Sequence, residues 1–542
     1  MQGSGDLGEL EEGVATGSLL EARQAETAVT NLEQAAAGGT IHPGRRTPHP
    51  RPGGAPRGAA VRLRVREEGS RLSAAIDHVP LLNELAQEYV ARSPRSSELN
   101  ERAARALVDG GSHALRLIEP FPPRITSAKG AYVRDEDGHE LLDFWQGHYA
   151  NLPGHNPEVI TTALARAFEA GFGLQTGLTD RLEVETAELL CERVGAERAR
   201  FTTSGTLATM YAILLARAST GRSLVMKVGG GWHGAQPWGL VGVDFGSQDA
   251  PFQGADSEGL PAAVRGEVVV TPFNDPDRLS DQFRRLGDRV ACFIVEPFIG
   301  SGAGLPASPE FLHAARELCD RYGALLIFDE VISGFRFRAG DAGVFYGIRP
   351  DLACFAKVIG GGMPVAAVAG RADILEFAGR AKGRRVRFSG GTYSAHPASL
   401  LAAKTMMSHL VAHEGEIYPR LSSLGAKVRA TVEGAFATEG IHARCTGRGN
   451  GVLPDSPVSL LVFPRRASSP LRGPQDTRNP AVCDVALGEE VVQLALLLED
   501  VHVVHGLGTV TAAHTDADVE RLGEACRRVA RRFRHTLKQR RA

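Results

Sequence analysis

Five short runs of β-branched and other apolar residues recur through the middle of the chain: SLVMKV (223–228), EVVVTPF (267–273), ACFIVEP (291–297), ALLIFDE (324–330) and DLACFAKV (351–358). Each ends in a turn signal, and segments of helical period such as PEFLHAARELCDRYG (309–323) lie between them. Strands that are apolar throughout must be covered on both faces, so this alternation specifies an α/β fold with a mostly parallel sheet and helices on either side. In such sheets ligands sit beyond the carboxyl ends of the strands. Chemistry is therefore to be sought in the residues that directly follow these runs.

The flanking chain differs in texture. Residues 1–75 show no regular period, and the stretch 42–66 sets Pro43, Pro48, Pro50, Pro52 and Pro56 among glycines and seven arginines, a composition that cannot bury a core. A disordered tail is expected there. From Val79 the segments LLNELAQEYVARS and SSELNERAARALVDGG have helical period, the second with Ser96 or Ser97 as N-cap and Gly110 as stop. GAYVRDEDGHELLDF (130–144) reads as a hairpin about a DEDG turn. After Pro397 the pattern turns helical, with short strands and a closing helix from Asp516 to Arg534, while Pro464–Pro480 reads as a surface loop. The expected domains are a tail (1–75), the N-terminal part of a small domain (76–145), a large domain (146–400) and a C-terminal small domain (401–542). The smaller α+β lobe is thus built from both chain ends.

Charge narrows the function classes. With 61 basic against 63 acidic side chains, the chain lacks the footprint of a nucleic-acid binder. No run approaches the ~18 apolar residues of a membrane span, and the first residues lack a secretory signal's order. A cytoplasmic protein without membrane partners is expected. The cysteines are scattered and never form a CxxC pair, so they read as reduced thiols, with no metal site.

Only seven lysines occur, which makes Lys357, inside an apolar and glycine-rich segment, conspicuous. Asp329 and Lys357 each stand at the carboxyl end of a run, where both would face the ligand edge of the sheet and both are costly to bury unpartnered. Taken alone, Asp329 also fits a helix N-cap or a structural ion pair, and Lys357 a snorkelling surface lysine. Ser204, Gly205 and Thr206 directly precede a helix, which offers N–H groups, hydroxyls and a positive dipole end for a phosphate, or simple N-capping. Trp232, on the glycine-rich GGGWHG loop, can lie against an aromatic ligand or pack in the core.

These motifs, SGT, GWHG, VEPFIGSGAG, LLIFDEVISGFR, FAKVIGGGMPVAAVAGR and FSGGTYSAHP, resemble in order and spacing the class III (fold type I) pyridoxal-phosphate aminotransferases, most nearly the glutamate-1-semialdehyde 2,1-aminomutase branch. The resemblance implies a fold type I large domain with a seven-stranded type of sheet, and pyridoxal 5'-phosphate as cofactor. It implies that Lys357 binds the cofactor aldehyde and moves the proton, and that Asp329 pairs with the pyridine nitrogen. Trp232 and Val331 would flank the ring, and Ser204, Gly205 and Thr206 would hold the phosphate. Gly391 and Thr392 would reach the phosphate of a neighbouring subunit, which makes a homodimer with shared sites.

Departures from the family pattern bear on substrate. Where family members that use 2-oxoglutarate and omega-amino acids often carry a Glu and a late Arg, this chain has Ser301 and the arginine-free VHVVHGLGTVTAAHT. That favours the aminomutase-like branch. Yet FWQGHYANLPGH replaces the aminomutase Ser-Trp-Gly-Pro segment, so Trp145, His148 and Tyr149 are expected to line a different substrate pocket. The reading is amino-group transfer between a small amine or amino acid and an oxo acid or aldehyde. The alternatives are a true aminomutase, a decarboxylase on the same scaffold, and a degenerate binding module without activity.

Overall fold

The computed structural model describes residues 77–380 and 386–539; the expected tail over 1–75 lies outside them. Among the described residues the first helix, Val79–Arg92, buries Leu81, Leu82, Leu85, Ala86 and Tyr89. The second runs Pro94–Ala106 with Ser93 at its N-cap, which corrects the start expected at Ser96 or Ser97. Pro94 explains the shift, because its fixed φ and missing N–H suit the first helical position. This helix ends at Ala106, ahead of Gly110, and a short 3-10 turn fills the gap.

Strands β1 (Ile125–Lys129), β2 (Tyr132–Asp135) and β3 (Glu140–Asp143) form an antiparallel meander. The DEDG turn between β2 and β3 is closed by the Gly138 N–H donating to the Asp135 carbonyl at 3.1 Å.

The large sheet has seven strands: β4 (Arg198–Thr202), β5 (Leu224–Val228), β6 (Val268–Thr271), β7 (Val290–Val295), β8 (Leu325–Asp329), β9 (Leu352–Phe355) and β10 (Ala366–Gly370), in the order β4-β10-β9-β8-β7-β5-β6. Only β10 runs antiparallel to its neighbours; the other pairings are parallel. Every residue of β5, β7, β8 and β9 is buried, which accounts for their unbroken apolar runs. Alternate residues serve opposite faces. Ile294, Ile327 and Cys354 pack against the helix Gly205–Thr220, while Phe293, Phe328 and Phe355 join the larger cluster on the other side.

Strand β11 (Val501–His502), from the far end of the chain, pairs parallel with β3 and completes a four-stranded sheet. Residues 125–143 and Val501–His502, which lie on either side of the large sheet in sequence, therefore share one sheet. The long helix Pro397–Ala412, which runs continuously across position 400, packs on the helices Glu158–Glu169 and Arg181–Val194, while Glu414–Ala437 packs on Asp516–Gln539. The segment 464–480 is a surface loop only in part. Gly473, Pro474, Asp476 and Thr477 are buried in a short helical turn, because a Cβ on Gly230 would meet Pro474 at 2.3 Å, leaving that turn seated on the glycine-rich loop. No helix among the described residues is long and apolar enough to cross a membrane.

Candidate active site

Three strand ends create the site. β8 ends on Asp329, which is buried and accepts two hydrogen bonds, from the Val331 N–H at 3.1 Å and from His233 Nδ1 at 2.8 Å. His233 is fully enclosed, and burial pulls its imidazole below its usual range against the pull of Asp329. With its other nitrogen, Nε2, lacking a partner among the described residues, the ring acts as a fixed prop for the carboxylate.

Lys357 follows β9 by two residues and adopts φ +51, a left-handed conformation that few non-glycine residues take. Burial lowers its amine from the ordinary 10.5 to about 8, although Asp329 and then Glu296 pull the other way. A lysine lowered this far is partly neutral near physiological pH, as a reacting amine must be. Glu296, after β7, is pushed up to about 8 by burial and by Asp329. Its carboxyl accepts the Trp232 N–H at 3.2 Å and the Gly300 N–H at 3.0 Å, so it anchors the loop that carries the indole. Trp232 itself is 40% exposed, its ring turned out of the core.

The phosphate-type cradle and this loop are locked together. Ser204 caps the helix Gly205–Thr220, its Oγ accepting the Leu207 N–H at 3.3 Å. A Cβ on Gly234, which sits at φ +83, would lie 2.5 Å from Thr206 Oγ1, and one on Gly205 would lie 3.1 Å from both Val331 methyls. Thr209 Oγ1 donates to the His233 carbonyl at 2.6 Å. Beneath the loop the buried Lys227 donates from Nζ to the carbonyls of Gly231 (3.0 Å), Gly239 (3.1 Å) and Val241 (2.9 Å). A helix N-terminus with hydroxyls able to donate, a buried acid and a largely enclosed amine on one sheet edge form a donor set that suits a phosphorylated pyridine aldehyde.

On the remaining side stands the segment 145–149. Gln146, Gly147, His148 and Tyr149 take φ values of 45, 61, 58 and 69°, four left-handed residues in succession. Buried Asp143 holds them from below: its carboxylate accepts the N–H groups of Trp145 and Gln146, each at 3.0 Å, and bonds His155 Nε2 at 2.6 Å and His502 Nδ1 at 2.9 Å. Trp145 stacks on His502 at 5.2 Å between centroids and meets His148 edge-on at 4.9 Å. His148 is driven down to about 3 by burial, with His113, Arg116 and Lys357 adding to the effect. Arg336 donates from Nη2 to the Tyr149 carbonyl.

Asp329, Lys357, Trp232, Val331, Ser204, Gly205 and Thr206 thus surround one strand edge, and His148 is near enough to feel the Lys357 charge. Gly391 and Thr392 are exposed, on a loop whose Gly390 N–H donates to the Tyr211 hydroxyl at 3.3 Å. The sequence reading assigned no role to His233, Glu296, Lys227, Asp143 or Arg336. Lys227 carried a signal, a lysine inside an otherwise apolar run; the others lay inside quoted motifs with nothing to single them out.

Comparison with known proteins agrees with this geometry. The family model "Aminotransferase class-III" matches residues 118–447. A glutamate-1-semialdehyde 2,1-aminomutase of Deinococcus radiodurans is 36% identical over 356 residues, which is 64% of this chain and 78% of that protein. An omega-transaminase from Sphaerobacter thermophilus superposes with a TM-score of 0.73 at 32% identity, over 82% of this chain and 99% of that one. A β-phenylalanine aminotransferase from Variovorax paradoxus gives a TM-score of 0.72 at 28% identity, over 83% and 96%. The chain belongs to the class III aminotransferase family.

Proposed function

We propose that this chain is a pyridoxal-phosphate-dependent enzyme that transfers an amino group from an amine or amino acid to an oxo acid or aldehyde, with a substrate other than glutamate-1-semialdehyde. One observation carries the reading: a buried aspartate ends β8 and a lysine follows the adjacent parallel strand β9 by two residues, so both stand at one sheet edge. The cofactor supplies an aldehyde that condenses with amines and a pyridinium that draws electron density from the carbon losing its proton. Lys357 would bind that aldehyde and, as a neutral amine, carry the proton between substrate atoms. Asp329, kept in place by His233, would hold the ring nitrogen protonated. Ser204, Gly205 and Thr206 would take the phosphate, and Trp232 and Val331 would flank the ring.

Trp145, His148 and Tyr149 would line the substrate side. His148, held neutral by its surroundings, would serve there as a hydrogen-bonding group rather than a charge. A homodimer is the assembly this surface supports. Leu174 and Leu178 are 75% and 68% exposed, and the Gly173 carbonyl just before them accepts the Ala398 N–H beside the loop of Gly391 and Thr392. We place the enzyme in the cytoplasm, since all seven cysteines are free.

The relatives named aminomutase support a second reading, the intramolecular exchange itself. An amine-donor screen of the holoenzyme separates the two, with glutamate-1-semialdehyde included and carbon dioxide release monitored for decarboxylation. Borohydride reduction followed by peptide mapping should place the cofactor on Lys357. A label on another lysine overturns the assignment, and efficient turnover of glutamate-1-semialdehyde restores the aminomutase.

A further inference from the structure

The partly buried turn Gly473–Thr477 brings Arg478 to the wall of the site. Its Nη2 donates to the Ser301 carbonyl at 2.8 Å and its Nε to the Gly302 carbonyl at 3.1 Å. Ser301 follows Gly300, whose N–H is held by Glu296, the same side chain that holds Trp232. Arg478 is therefore fixed one residue from the clamp that sets the indole. Its charge is also felt by both Tyr149 and Glu489.

Both hydrogen-bond partners of this guanidinium are carbonyls. Two of its five N–H donors are used, and among the described residues it makes no ion pair. The nearby carboxylate, Glu489, is engaged elsewhere, bonded to His505 Nδ1 at 2.9 Å. Within reach of the Arg478 charge, the Tyr149 hydroxyl is buried without a hydrogen-bond partner among the described residues, and so is Nη1 of Arg336, whose Nη2 grips the Tyr149 carbonyl. Arg336 is a fully buried cation that interacts electrostatically with Tyr149, Tyr418 and the Lys357 amine, none of them a carboxylate. Unsatisfied buried donors are rare and costly, and a cluster of them beside a reactive amine signals a ligand group that completes them.

We propose that Arg478 and Tyr149 form the receptor for a carboxylate on the amino substrate, with Arg336 beneath them biasing the pocket towards anions. This rests on the proposed amino-transfer reading and assigns the specificity of that same site. Planar guanidinium donors match a carboxylate in two-point geometry, and a tyrosine hydroxyl adds a third donor. The substrate class is then an amino acid whose carboxylate lies on the side of the amino group facing away from the phosphate cradle. Glu489, bonded to His505, lies near enough to disfavour a second acidic group.

The test uses the holoenzyme with Arg478→Gln, Arg478→Lys and Tyr149→Phe. Glutamine keeps an N–H in the place of Nε, for the Gly302 carbonyl, and removes the charge, so it separates recognition from anchoring of the turn. Binding of benzoate, read from the cofactor absorbance band, requires no turnover. Arg478→Gln is expected to weaken it about ten- to a hundredfold, Arg478→Lys less, and Tyr149→Phe about fivefold to tenfold. In parallel, kcat/KM for each amino acid is divided by that for the amine lacking only its carboxylate. This ratio should fall by a similar factor in Arg478→Gln at unchanged melting temperature. Unaltered benzoate binding in Arg478→Gln, a ratio that does not move, or an unmodified enzyme indifferent to the carboxylate would each overturn the proposal. Failure of the amino-transfer reading looks different, as absence of reducible cofactor on Lys357.

Discussion

The lowered amine of Lys357 can be measured directly in the cofactor-free protein. The fall from 10.5 to about 8 means that the folded site disfavours the ammonium by about 3 kcal/mol net, even with Asp329 and Glu296 nearby. At pH 7 an amine of that kind is about one-tenth neutral, against about one part in 3,000 for an ordinary lysine. Reductive methylation with formaldehyde, quantified on the Lys357 peptide, should then be about a hundredfold or more faster than on an exposed lysine, with its inflection near pH 8. Asp329→Asn removes the larger of the two attractions that hold the proton, so the inflection should move to lower pH. An inflection at 10 or above, or a shift upward in Asp329→Asn, would refute the account of burial as the dominant influence. Stability follows with a definite sign. A lysine whose folded value lies below its unfolded one gives up its proton first in the folded chain, so the cofactor-free protein should gain stability between about pH 8 and 10.5. Lys227, also lowered to about 8, adds to that rise, and Lys357→Met should remove its own share of the slope.

Three further outcomes are expected. Lys227→Met leaves the carbonyls of Gly231, Gly239 and Val241 without their donor, and should cost about 3 kcal/mol in chemical denaturation and loosen cofactor retention. Gly234→Ala places a methyl against Thr206 at a left-handed position, which should cost about 2–4 kcal/mol and raise the cofactor dissociation constant measured by dialysis. Asp143→Asn should lower the melting temperature by several degrees and change amine selectivity more than cofactor affinity; a variant with native selectivity would show that the segment 145–149 does not depend on this carboxylate.

The sheet was legible because its strands are buried on both faces and so carry unmixed apolar runs, and because the acid and amine that interrupt two of these runs fall at the ligand edge. Shorter-range signals were less secure. Ser96 and Ser97 looked like caps, but Pro94 set the start of the helix. The Pro- and Arg-rich stretch after Pro464 read as surface, yet Pro474 packs on Gly230, a tertiary contact that composition does not encode. The props behind the site, His233 under Asp329 and Glu296 behind Trp232, were invisible for a similar reason. Their roles depend on which nitrogen or oxygen meets which strand end in space, and sequence spacing of 96 and 64 residues says nothing of that.

The left-handed turn at 146–149 also bears on how this enzyme can change. Its backbone is dictated from outside, by the Asp143 carboxylate below and the Arg336 guanidinium at its far end, at an intrinsic cost of about 1–2 kcal/mol for each non-glycine residue. The side chain of His148 packs on Trp145 and that of Tyr149 is buried, so substitutions that keep their volume leave the clamped backbone in place. Inherited variation can therefore replace them one at a time while the loop keeps its course and the cofactor edge stays intact. Substrate range becomes a quickly evolving trait mounted on a slowly evolving frame, and a directed-evolution library confined to these positions explores new amines with few misfolded members.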